Sequence, residues 1–116
     1  MYQFSPQVRE NTAFLKKLAS TRSDQKKNEL INSANTDQIL AIVEICANIL
    51  SFNFKLNKRQ RNRLAQYAQY YRAIANSKSE KTARKKLQEG SGIALGAILI
   101  PVLTVLAQHL LEKITS

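Results

Sequence analysis

Tryptophan is absent from this 116-residue chain, cysteine and histidine occur once each, proline twice and glycine three times. One cysteine, Cys46, excludes an internal disulfide, and its neighbours Ile45, Ala47 and Ile49 are those of a small buried hydrophobe. The lone His109 has no Cys, Asp or second His near it in sequence, so the cluster that a metal site requires is not in view. So little glycine and proline argues against a turn-rich β fold and for helices. The opening MYQFSPQVRE lacks the apolar run of a secretory leader, which makes the cytosol or nucleus the expected starting compartment. There is no Gly-rich phosphate loop, no paired carboxylates and no Ser/His/Asp or Cys/His arrangement. The Gly90-Ser91-Gly92 stretch is too short for a nucleotide fingerprint and follows no strand. A catalytic role and a cofactor are therefore not expected.

Acidic residues are the other shortage, 8 against 18 Lys and Arg, for a net charge of +10. The imbalance is local. Residues 1–54 hold six basic and five acidic side chains, residues 55–89 hold eleven and two, and residues 90–116 hold one of each. A solubilising helix face mixes signs, because like charges repel. Concentrating the excess in one third of the chain points to a polyanionic partner, nucleic acid or an anionic membrane surface. The candidate phosphate ligands are Lys55, Lys58, Arg59, Arg61, Arg63, Arg72, Lys78, Lys81, Arg84, Lys85 and Lys86. Binding through them should be electrostatic and without sequence preference. Tyr67, Tyr70 and Tyr71 lie among these charges, where they could stack on bases, although Tyr67 and Tyr71 also fit an apolar stripe.

The periodicity predicts an all-α protein: a small bundle of four or five short helices followed by a C-terminal Pro-kinked apolar helix. Ser5-Pro6 should open a helix reaching Ser20, and Ser23 or Asp24 the next. Residues 35–38 should cap a nearly all-apolar helix at the centre of the core, with Leu40, Val43, Cys46 and Leu50 meeting Leu64. Asn57, with Gln60 three residues on, should cap a basic helix running to about Ala75. Ser77-Lys78-Ser79-Glu80 reads as a second capping box, opening a short helix that Gly90 and Gly92 stop. The corresponding division is a helical core over 1–76, a short basic helix over 77–89 and an apolar helix over 90–116.

Residues 90–111 carry no formal charge, long enough as a helix to span a bilayer core. Pro101 and three glycines speak against a plain anchor, leaving burial in this protein, self-association or membrane contact. Ile98, Leu99, Ile100, Pro101, Val102 and Leu103 are the residues expected to dock there. A membrane-active or tail-anchored protein whose basic segment meets anionic lipid is the alternative to a nucleic-acid binder.

The order of parts, Glu44-x-Cys46-x-Asn48-Ile49-Leu50, Leu56, the basic 58–72 stretch, Arg84-Lys85-Lys86-Leu87-x-x-Gly90 and Pro101-Val102-Leu103, resembles the short basic proteins of adenovirus-related elements of the Polinton and adintovirus kind. Its C-terminal part is similar to the adenovirus core protein X precursor. The resemblance implies a non-enzymatic minor virion or core protein, packed with the genome, presumed double-stranded DNA, and contacting capsid protein or copies of itself. It also implies location in the virion, with assembly in the host nucleus or cytoplasm. Maturation cleavage near glycine pairs, a property of that family, would fall at Gly90, Ser91 and Gly92 and part the basic helices from the tail.

Overall fold

In the computed structural model, residues 5–50 and 57–115 are described, with side chains for 5–48 and 57–104. They form eight helices and, among the described residues, no strand: α1 Pro6–Glu10, α2 Thr12–Ala19, α3 Asp24–Ser33, α4 Thr36–Leu50, α5 Lys58–Gln66, α6 Ala68–Ala75, α7 Glu80–Glu89 and α8 Gly92–Thr115. The fold is all-α. The radius of gyration is 13.5 Å, close to the roughly 13 Å of a packed domain of this length.

Local sequence accounts for most helix starts. The Ser5 hydroxyl accepts the Val8 N–H with Pro6 at the first helical position, and Ser23 accepts the Lys26 N–H. Asn35 and Gln38 exchange bonds reciprocally at the head of α4, as do Asn57 and Gln60 at the head of α5. The second expected box forms differently. Ser79 is the cap of α7, accepting the Thr82 N–H at 3.2 Å, while Ser77 donates backward to Ala73 O. Glu80 becomes the first residue of the helix and pairs with Arg84.

Two expected helices are each broken in two. Asn11 separates α1 from α2, its side-chain amide donating to Gln7 O at 2.7 Å, a bond that competes with continued helix. Tyr67 separates α5 from α6 at φ −112° and ψ 15°. Its ring sits edge-on to Tyr71 at 6.4 Å.

All eight helices meet in a single hydrophobic assembly. The helix α4 packs on α1, α6, α7 and α8, while α8 also packs on α2 and α5, and α3 lies against α7. Ile39, Ile42, Ile45 and Cys46 of α4 are fully buried, as are Leu15 and Leu18 of α2. Leu40 is a correction: it is 38% exposed, because the helical phase that buries Ile39 and Ile42 turns it to the opposite side. Val43 is half-buried, and the Leu50 side chain lies outside the described residues.

The apolar C-terminal segment belongs to this core. Leu95, Ile98, Leu99 and Val102 are fully buried and Pro101 is buried, lying inside α8 without ending it. Of the six residues expected to dock on a partner, these four (Ile98, Leu99, Pro101, Val102) are covered by the protein's own helices, Leu103 is half-buried and only Ile100 stands exposed. The physical reason is energetic. Burying four large aliphatic side chains contributes about 6–12 kcal/mol, comparable to the whole stability of an ordinary domain. Among the described residues no single helix is long and apolar enough to cross a membrane, and α7 and α8 meet at 112°. The described residues of the segments 1–76, 77–89 and 90–116 thus contribute to one core, from Val8 to Val102.

Candidate nucleic-acid interface

The helix α5 is fastened by one side. Leu64 is its buried residue and Gln60 is half-buried, with Tyr67 continuing that line into the break. Lys58, Arg59, Arg61, Asn62, Arg63, Ala65 and Gln66 are all exposed. No acidic residue occurs in α5, and neither of the two ion pairs among the described residues involves it. Arg59 and Arg63, and likewise Lys58 and Arg61, lie one turn apart on the helix, where like charges repel by about 0.2–0.5 kcal/mol per pair. Lys58 and Arg59 also occupy the first turn, at the positive end of the helix dipole, where cations are disfavoured.

The second basic helix is divided between structure and surface. Lys81 and Lys85 are exposed one turn apart on α7, Lys78 is exposed just before it, and Arg72 is exposed on α6. Lys86 is half-buried and lies 3.7 Å from Glu89. Arg84 leaves the set of expected phosphate ligands, since its guanidinium donates to Ile31 O at 2.5 Å and pairs with Glu80. Hydrogen bonds from Arg84 and then from Thr36 hold the Glu80 carboxyl below its ordinary range. Lys55 lies outside the described residues.

Of the three tyrosines, Tyr70 and Tyr71 are held by the core, and Tyr67 is half-buried and edge-on to Tyr71. Tyr71 is buried and its hydroxyl donates to Ala94 O at 2.5 Å, while the Tyr70 hydroxyl donates to Leu87 O at 2.9 Å. Burial raises the pKa of both phenols above the ordinary range.

The junction between α7 and α8, where Gly90, Ser91 and Gly92 lie, is held by tertiary contacts. Lys27 of α3, fully buried, donates through Nζ to Leu87 O at 2.9 Å, to Gln88 O at 3.1 Å and to Gly90 O. An ammonium against the last carbonyls of α7 complements the negative end of that helix. Desolvation lowers the Lys27 pKa, opposed by the nearby Asp24 carboxylate. Ser91 caps α8 by accepting the Ala94 N–H at 3.1 Å, and the buried Gly92 donates its N–H to Asp24 Oδ1 at 2.9 Å. A Cβ at Gly90 would fall 2.1 Å from Tyr70 Cζ, so the glycine permits the ring to lie against the backbone. This turn is pinned on both sides, by Lys27 and by Asp24.

Lys27 and Arg84 form a reciprocal arrangement between α3 and α7. Each helix sends a cation to the C-terminal carbonyls of the other. Sequence reasoning found neither role, because the partners are 60 and 53 residues apart. Nothing in the local sequence marks either role: Lys27 has Asp24 one turn away, as an ordinary surface lysine would.

Cys46 is buried and its thiol pKa is pushed up by desolvation. Among the described residues no three His, Cys, Asp or Glu side chains gather as metal ligands would. No family model, curated protein or solved structure matches the chain.

Proposed function

We propose that this is a non-catalytic nucleic-acid-binding protein that holds phosphates through α5, assisted by exposed lysines of α7. The observation that carries this reading is the electrostatic frustration of α5. Four cations, Lys58, Arg59, Arg61 and Arg63, stand in nine residues with no acid among them, two at the unfavourable end of the helix dipole. A protein that needed only solubility would interleave acids and gain stability. A polyanion relieves the repulsion and turns the same charges to advantage. The resemblance to the short basic virion proteins supports double-stranded DNA as that polyanion and a genome-associated place in a virion. It also supports capsid protein or a second copy of the chain as a neighbour.

The test is a salt titration of DNA binding by the full chain. Engaging four phosphates gives a slope of log K against log salt of about −3.6. Replacing Arg59, Arg61 and Arg63 with Gln should flatten that slope by about 2.7 and weaken binding equally on unrelated sequences. The same variant should melt no lower than the wild type, because it removes repulsion from an exposed helix. Failure of the intact protein to bind DNA at low salt, or binding to anionic vesicles alone, would overturn the reading.

A further inference from the structure

We infer that α5 enters the major groove of B-form duplex DNA, with Asn62 and Gln66 toward the base edges and Lys58, at the start of the same line, on phosphate. The inference rests on the phosphate-binding reading above and goes further by naming the helical form of the ligand. At 3.6 residues per turn, Lys58, Asn62 and Gln66 fall on successive turns along one line. That line lies opposite the one by which Gln60, Leu64 and Tyr67 fasten the helix to the protein. All three are exposed. Arg59 and Arg63 flank this ridge on one side and Arg61 on the other. The outward surface therefore has hydrogen-bonding side chains at its crest and cations on both slopes.

That cross-section matches a groove with two phosphate walls and a polar floor. A helix with side chains is about 10–12 Å across, and the B-form major groove is about 12 Å wide. Asn and Gln offer a donor and an acceptor together, the pair that adenine presents in that groove. Against a single flat wall of phosphates, the arginines of one slope would face away. Single strands are bound chiefly by stacking on exposed aromatic rings. Here the Tyr70 and Tyr71 hydroxyls are tied to backbone carbonyls, α5 carries no aromatic residue, and Tyr67 at its C-cap is half-buried on the fastened side, edge-on to Tyr71. Duplex RNA is excluded by shape, since its major groove is too deep and narrow to admit side chains.

Fluorescence anisotropy of the full chain tests this on four ligands at one salt concentration. These are a DNA duplex, an RNA duplex of the same sequence, the DNA duplex with glucosylated 5-hydroxymethylcytosine filling its major groove, and oligothymidine. Binding should be tightest on the open DNA duplex and weaker by about tenfold or more on the others, the discrimination expected from one good base-edge contact. Asn62→Ala with Gln66→Ala should reduce affinity for open DNA to that for the filled duplex, with the salt slope unchanged. Both residues are exposed, and circular dichroism would verify that the fold is retained. Equal affinity for open and filled DNA with a steep salt slope would overturn the groove assignment and leave phosphate binding standing. No DNA binding at low salt would overturn both.

Discussion

Replacing Lys27 with Met tests the account of how α3, α7 and α8 are joined. The ammonium of Lys27 donates to Leu87 O, Gln88 O and Gly90 O, and the side chain is fully buried. A hydrogen bond from a charged group contributes about 1.5–3 kcal/mol, but three bonds to one ammonium are not independent. Met also returns something, because it follows the aliphatic stem and removes the desolvation cost of a buried cation. Buried charges replaced by hydrophobes are sometimes neutral for this reason. Here the balance goes the other way: Leu87 O keeps the Tyr70 hydroxyl, but Met leaves Gln88 O and Gly90 O without the ammonium and the Asp24 carboxylate without its nearby cation. The expected loss is about 3 kcal/mol, a large part of a domain's 5–15 kcal/mol. Urea unfolding followed by circular dichroism should show the midpoint falling by about 1.5 M at a slope near 2 kcal/mol/M. A double-mutant cycle with Arg84→Met should give a coupling above about 0.5 kcal/mol, since both cations tie the same helix pair. A midpoint unchanged or raised by Lys27→Met would refute the reasoning.

Gly90→Ala should cost about 2 kcal/mol or more, because the added Cβ overlaps the Tyr70 ring. Gly96→Ala, whose Cβ would meet Ala19 O at 3.2 Å, should stay within about 1 kcal/mol of wild type in the same urea assay. Stability should fall as pH rises past 9, where Cys46 ionises in the unfolded chain but not in the folded one, and more steeply past 10, where Tyr70 and Tyr71 do the same. Lys27 acts with the opposite sign below 10.5, since the folded chain releases its proton first, so the fall should be clearest above 10.5, where Lys27 no longer opposes it. Cys46→Ala should make the 9–10 part of the curve shallower, and a flat profile from pH 8 to 11 would contradict this. Val102→Asp should abolish the circular-dichroism unfolding transition, whereas Ile100→Asp should be tolerated. A folded Val102→Asp protein would mean that α8 is not a core element.

Much of this was legible in the sequence where the physics is local. Ser5, Ser23, Asn57 and Gln60 each satisfy donors within four residues, so the caps could be read directly. The break at Tyr67 was not legible, because no glycine or proline marks it and the Tyr67–Tyr71 pair has the i,i+4 spacing of a continuous helix. The fate of the apolar segment was undetermined by composition alone. The same uncharged run would suit a bilayer or a core, and only the apolar faces of α2, α4 and α5 decide between them. Within the basic region, Arg84 is indistinguishable from Lys85 by charge, yet one is held by Ile31 O and the other is exposed.

The reciprocal caps between α3 and α7 also bear on the order in which the chain can be completed during synthesis. The carbonyls at the end of α3 wait for Arg84, and the buried face of α2 waits for α8. While translation proceeds, the first half has only the packing of α1 on α4 and α2 to close on, and lacks its contacts with α6, α7 and α8. Residues 5–50 should therefore remain unsettled on the ribosome until the last quarter of the chain emerges. A nascent chain arrested before residue 84 should be cut rapidly by added protease, and one released at full length should resist it.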